Sequence, residues 1–353
     1  MITLILLILI LGFLIFVHEL GHFITAKKAG AYVYEFAIGM GPQIFSFKRK
    51  KEKNDPTIYS LRLFPIGGFC AIAGEVDEDD GMDVKLKKSE YMCNKPIWQR
   101  CVILIAGVTM NFLTGIVILF ISALIWGATD NASYVGVAPA GYPVSEAGIE
   151  VGDRILKIDG KNARTWDKIT LLLNLKHESD TYVFTVEKKD GSVVDYNVVP
   201  SVQEKDGEEV KVFGIGQDAT RHRGLLAALK YAFVKTESII NSMWAIIGNL
   251  FTGKLSLGSL SGPVGIYSIV GEARKTSVES VLYLAAYLSL NLGFINILPF
   301  PAFDGGRVLF LIIEAIRKKK MNPKVENMVN TVGFALLMLL MIIITIKDIL
   351  KLF

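Results

Sequence analysis

Cysteine and histidine are both scarce in this 353-residue chain, with three and four copies, and charged residues make up only 20% of it. Cys70, Cys93 and Cys101 are an odd set without metal-ligand spacing. That argues against a disulfide framework or a cysteine-based metal site, and the three are read as free thiols with no assigned role. The net charge of +4 is too slight to point to nucleic acid as a partner. No internal repeat and no low-complexity tract is found. The first apolar run has no Lys or Arg ahead of it and no small-x-small site behind it, features a cleaved signal peptide needs. It is read as a retained helix.

What is abundant is hydrocarbon: 52% of residues are hydrophobic, too many for an ordinary soluble protein. Four segments approach the roughly 20 apolar residues that cross a bilayer. They are Met1–Val17 with its continuation, Cys101–Gly127, Val281–Leu298 and Met328–Ile346. Lys27, Lys28, Lys95 and Arg100 lie between the first two, and Asp130 is the first charge after the second. Arg307, Arg317, Lys318, Lys319, Lys320 and Lys324 fill the link between the third and fourth. The positive-inside rule makes both links cytoplasmic and puts the termini and residues 128–280 outside. Lys347 and Lys351 oppose this and are outnumbered.

Between the first two spans, "YVYEFAIGMGPQIFSFK" and "TIYSLRLFPIGGFCAIAGE" mix aromatic and β-branched residues with Gly-Pro and Gly-Gly punctuation, the pattern of strands and hairpins. The "EVDEDDGMDVKLKK" that follows reads as a charged loop. Residues 132–200 read as a compact module, with a helix at "TWDKITLLLNLK" and a hairpin turning at Asp190-Gly191. Leu226, Leu229, Phe233, Ile240, Met243, Ile247 and Leu250 then recur at helical spacing among Lys230, Lys235 and Glu237. Those charges favour a helix lying on the membrane over one crossing it.

Within "FVHELGHF", His18 and His22 are four apart and share one helix face, so both can bind a single ion. Glu19 lies beside that position, suited to take a proton from water, whose pKa zinc lowers to about 7. Ionisable groups at membrane depth are functional by default. Zinc needs a third protein ligand and an open position. His177 and His222 lie in the outer segment, whereas Asp304 in "NILPFPAFDGGRV" follows the third span on the same side as the end of the first. Pro299 and Pro301 stop the helix there, and Gly305-Gly306 permits a sharp turn. A carboxylate that merely caps a turn is the alternative for Asp304.

With these motifs in view, the chain resembles the site-2 proteases, intramembrane zinc metalloproteases that cut within or beside a transmembrane helix. The resemblance runs over nearly the whole chain. "HELGH" matches the family's metal motif, and "NILPFPAFDGG" matches its second signature. "EFAIGMGP" at 35–42, "PIGGF" at 65–69 and "LSGPVGI" at 260–266 also look like family segments. It implies zinc held by His18, His22 and Asp304, with Glu19 as general base and then acid. Asn296 is implied to hold the substrate or the developing oxyanion, the alternative being an amide that satisfies a helix end. Gly67 and Gly68 are implied to lie on a strand edge that pairs with the unwound substrate, the alternative being a plain turn. One motif departs, because the family's usual Ala-Gly-Pro in the second span is Ala106-Gly107-Val108 here.

"PVSEAGIEVGDRILKIDG", residues 143–160, looks like the core of a PDZ domain, with Tyr134, Val135, Gly136 and Val137 where a peptide-binding loop would fall. Such a domain either captures a peptide by β-augmentation or excludes bulky ectodomains. The fold expected is a polytopic α-helical membrane protein with four transmembrane helices, membrane-associated β-hairpins and one extracytoplasmic PDZ domain. Its parts are 1–127, the PDZ domain at 128–202, an amphipathic surface helix with linker at 203–279, and 280–353. The expected partners are the lipid bilayer and a single-span membrane protein, by analogy an anti-sigma factor already clipped outside. Clearance of remnant signal peptides uses the same residues. A metal transporter lacks support, since no repeat symmetry is evident, and an intact His-Glu-x-x-His argues against an inactive PDZ scaffold.

Overall fold

The computed structural model describes residues 1–48, 57–75, 86–175, 180–205, 208–253 and 261–350. Most of the charged 75–88 stretch, His177 and Leu260 lie outside the described residues. In chain order come α1 (Ile2–Lys28), β1 (Val33–Lys48), β2 (Ile58–Ile72) and α2 (Ile97–Trp126). Next are β3 (Ala128–Thr129), β4 (Val135–Val137), α3 (Pro143–Glu146), β5 (Arg154–Ile158), β6 (Lys161–Asn162) and α4 (Trp166–Asn174). Then follow β7 (Tyr182–Glu187), β8 (Val193–Val198), β9 (Ser201–Lys205), β10 (Glu208–Val212), β11 (Gly216–Gln217) and β12 (Arg221–His222). The chain closes with α5 (Leu225–Phe251), α6 (Pro263–Thr276), α7 (Val278–Ile297), α8 (Asp304–Arg317) and α9 (Pro323–Leu350). Four of the described helices, α1, α2, α7 and α9, are long and apolar enough to cross a membrane. The chain divides into two units, Met1–Ile118 with Leu260–Phe353, and Leu119–Ser259.

In the first unit, α1 ends on Lys27 and Lys28, cations that suit a helix C-terminus. β1 and β2 each fold back, so that Phe36 has both Tyr59 and Cys70 as partners. Residues 35–38 thereby lie between 58–61 and 68–71, leaving 68–71 at the margin of the sheet. The core of this end unites Ala26, Val33, Phe36, Cys70, Ile72, Ile103, Leu104 and Leu311. Burial pushes the Cys70 thiol above its ordinary range. Lys95 Nζ donates to the carbonyls of Ala29 (2.7 Å) and Gly30 (2.9 Å), and Lys320 Nζ to Asn94 Oδ1 (2.8 Å). At the other end, Asp348 near the end of α9 accepts from the backbone N–H groups of Gly262 (2.7 Å) and Gly265 (2.9 Å), capping α6. The start of α1 meets α6 as well, with Thr3 beside Gly271. The start of α1 and the end of α9 therefore both adjoin α6, at the end of the unit opposite Lys28.

In the second unit the main sheet runs β6-β5-β7-β8. Tyr182, Phe184 and Val186 of β7 are fully buried while their neighbours are half-buried, the two-residue period of a strand with one covered face. They close a core with Val135, Val144, Ile149, Ile155, Ile158 and Ile169. Gly191 takes φ 84 in the β7–β8 turn, which its missing Cβ makes cheap. Packing continues past residue 202, because Phe213 joins the core and β11 pairs with β4. In α5 the small residues Ala228 and Ala232 are buried, whereas Leu226, Leu229, Phe233 and Trp244 are exposed. Ala228 packs on Phe120 and Ala123 of α2. Asp167 of α4 binds Lys235 Nζ (2.6 Å) and Ser238 Oγ (2.6 Å) of α5.

Candidate metal centre

α1 and α2 cross so closely that only glycine fits at the crossing. A Cβ on Gly21 would stand 2.5 Å from the Ala106 carbonyl oxygen, and one on Gly107 would stand 2.3 Å from His22 Nε2. Small residues at such a crossing let two helix backbones approach. Here they also press the imidazoles of His18 and His22, both buried, against α2.

The third group arrives from α8. Asp304 is its first residue, and Gly305 and Gly306 follow without a positive φ. The expectation that this pair serves a sharp turn is therefore corrected. The left-handed residue of this loop is Ala302, at φ 75. The glycines supply space instead, since a Cβ on Gly305 would lie 2.2 Å from the Ile297 carbonyl oxygen and one on Gly306 2.3 Å from that of Phe300. Two ion pairs fix α8: Arg307 with Glu75 beyond β2, and Arg100 of α2 with Glu314 at 2.8 Å.

His18 Nε2 lies 3.2 Å from His22 Nε2 and 3.2 Å from Asp304 Oδ2, and His22 Nε2 lies 3.5 Å from the same oxygen. A tetrahedral zinc about 2.0–2.1 Å from each ligand requires ligand atoms about 3.3 Å apart. The triangle fits that requirement, and Asp304 Oδ2 is buried without a hydrogen-bond donor. His22 Nδ1 meets the Ile103 carbonyl at 2.8 Å, which turns its Nε2 towards the other two ligand atoms. His18 Nδ1 meets the side-chain amide of Asn111 at 3.1 Å.

Glu19 lies outside this triangle and against the sheet margin. Its carboxylate accepts from the Cys70 backbone N–H, and its Cγ is 3.7 Å from where a Cβ on Gly68 would be. Gly68 cannot carry a side chain, because that Cβ would also stand 2.8 Å from the Ala37 carbonyl oxygen. Gly67 takes φ 100 against Met40. Asn296 is half-buried in the last turn of α7, one residue before its end.

In the other unit, Val135 at the centre of the Tyr134–Val137 stretch is paired on both sides. Val135 N donates to the Asp153 carbonyl at 2.8 Å on one side, while Gln217 and Gly216 of β11 pair with Val135 and Val137 on the other. Gly136 is equally enclosed, since a Cβ there would stand 2.3 Å from the Asp218 Cα. A groove of about 590 Å³ opens next to β4 instead, lined by Val137, Tyr142, Trp166, Ile169, Leu173 and Phe213. Only Val137 of the four expected residues faces it.

Two imidazoles on a membrane-length helix and a carboxylate at the start of α8 converge, with a second carboxylate beside them, in the arrangement of a metal-dependent hydrolase. The comparisons agree. The model of Peptidase family M50 matches residues 6–340. Regulator of sigma-W protease RasP of Bacillus subtilis is 33% identical over 99% of each chain. Zinc metalloprotease RasP of Bacillus licheniformis and that of Shouchella clausii are each 34% identical over 99% of each chain. The chain belongs to peptidase family M50. It is a zinc-dependent intramembrane metalloprotease in a multi-pass membrane protein.

Proposed function

We propose that His18, His22 and Asp304 hold the zinc ion and that Glu19 is the general base and acid of peptide-bond hydrolysis. The carrying observation is the ligand triangle of 3.2, 3.2 and 3.5 Å, drawn from α1 and α8. When bound, zinc supplies an acidified water and polarises the scissile carbonyl. Glu19 takes the proton from that water and returns it to the departing amine. The substrate segment pairs with the sheet margin at Gly67 and Gly68, which holds its unwound backbone beside Glu19. Asn296 steadies the carbonyl oxygen.

The substrate is the membrane-embedded part of a single-span protein, an anti-sigma factor already clipped outside. The name of the Bacillus subtilis relative, which ties that protein to sigma-W, supports this choice. The cell membrane of a bacterium is the site of action, with both termini and residues 128–280 extracytoplasmic and the metal centre near the cytoplasmic face. The lysine and arginine asymmetry supports that orientation, as does the meeting of the start of α1 and the end of α9 at α6. The second unit is a PDZ domain that filters substrates by size or grips them through the groove between α4 and residues 211–216. Exposed Leu226, Leu229 and Phe233 of α5 rest on the bilayer surface.

The test compares membrane proteomes of cells carrying wild-type protein and Glu19→Gln. Single-span fragments, trimmed outside and uncut within the membrane, accumulate with the variant. Equal fragment populations in the two strains contradict the proposal.

A further inference from the structure

We infer that Asn111 is a positioning residue for the metal centre: its side-chain oxygen accepts the proton on His18 Nδ1 and so frees His18 Nε2 to bind the ion. The inference rests on the zinc assignment above.

Asn111 is fully buried in α2, with its side-chain nitrogen placed 3.1 Å from His18 Nδ1 and its side-chain oxygen unpartnered, and a half-turn about Cβ–Cγ exchanges the two. The residue is held where α1, α2 and α7 meet. Its backbone carbonyl accepts from Ser289 Oγ of α7 at 2.8 Å. A Cβ on Gly293 would lie 3.3 Å from the Asn111 Cβ, so α7 approaches closely there.

The two histidines show why the amide's orientation matters. His22 Nδ1 faces the Ile103 carbonyl, which can only accept, so the proton sits on Nδ1 and Nε2 offers its lone pair. His18 needs the same tautomer, because its Nε2 stands 3.2 Å from both His22 Nε2 and Asp304 Oδ2. An amide can present either end to His18. With the nitrogen there, Nδ1 must accept and the proton moves to Nε2, into the ligand triangle. With the oxygen there, Nδ1 keeps the proton and Nε2 is free. Bond counting does not choose between them, since one end of the amide lacks a partner in either orientation. The requirement for a lone pair on Nε2 does choose, and it selects the oxygen. His22 is thus oriented by main chain, which no substitution removes, and His18 by a side chain, which a substitution can remove.

The experiment measures zinc affinity of the purified full-length protein by competition with a chromophoric chelator. Wild type, His22→Ala, Asn111→Leu and Asn111→Asp are compared, and melting of each zinc-free protein reports folding. Asn111→Leu, similar in size and without an acceptor, is expected to weaken zinc binding about 10–100-fold, and Asn111→Asp to bind within about threefold of wild type or tighter. The nitrogen-15 signature of the His18 imidazole in zinc-free wild type is expected to show the proton on Nδ1, a readout that needs no variant to fold. A proton on Nε2 overturns the inference. So does folded Asn111→Leu with wild-type affinity, or Asn111→Asp as weak as Asn111→Leu. Equal zinc affinity of wild type and His22→Ala identifies a different failure, that of the zinc assignment itself.

Discussion

Residues 119–259 bury large hydrocarbon and aromatic side chains, with Tyr182, Phe184, Ile149, Ile155 and Ile158 almost wholly covered. Their buried polar groups close loops, as Asp153 does with Lys188 Nζ at 2.7 Å. The unit formed by residues 1–118 and 260–353 differs on both counts. Leu9, Phe13, Leu113, Val117, Phe334 and Leu336 are exposed, while His18, His22, Asn111, Ser289 and Glu314 are buried. In water, burying apolar area drives folding at about 25 cal/mol per Å². Between helices in lipid that drive is absent, and small residues and polar contacts decide the packing. Burial is chiefly apolar in the second unit, whereas in the first an apolar core stands beside buried polar groups, several of them gathered at His18, His22 and Asn111.

The sharpest way to break that contrast is to ask where each unit lies. In a background without Cys70, Cys93 and Cys101, cysteines replace Lys319 and Lys189, both exposed. An impermeant thiol reagent applied to intact cells is expected to label position 189 fully and spare 319. The reverse pattern inverts the proposed orientation. A smaller effect is expected from Phe184→Ala, which removes a fully buried ring and should destabilise residues 119–259 by roughly 3–5 kcal/mol. Limited proteolysis should cut that unit sooner while bound zinc is unchanged. Zinc lost in parallel would show that the two kinds of burial are not separable.

The parts legible in sequence are those fixed by short-range geometry. His18 and His22 share a helix face by their spacing alone, and Asp304 closely follows the third apolar run in the chain. The four spans followed from hydropathy, although α1, α2 and α9 extend beyond the apolar runs. Helix α8 falls in what the charge pattern reads as a link, although Val308 and Leu311 pack on the same core. The roles of Gly107 and Asn111 were hidden because both act across a helix crossing some 90 positions away in the chain, which spacing does not reveal. The pairing of Tyr134–Val137 is hidden from the sequence for the same reason. β4 has an apolar strand pattern whether its edges are free or taken, and the β11 that covers it lies about 80 residues later.

On the proposed assignment His18, His22 and Asp304 hold the metal while Glu19 only moves protons. Zinc content per molecule, by elemental analysis of purified Asp304→Ala and Glu19→Gln, tests it most directly, alongside cleavage of a single-span substrate. Two histidines alone make a weak site, so Asp304→Ala is expected to lose zinc and activity together. Glu19→Gln should keep one zinc and lose cleavage, because an amide cannot act as a base. One zinc per molecule in Asp304→Ala, or cleavage by Glu19→Gln, would contradict the account.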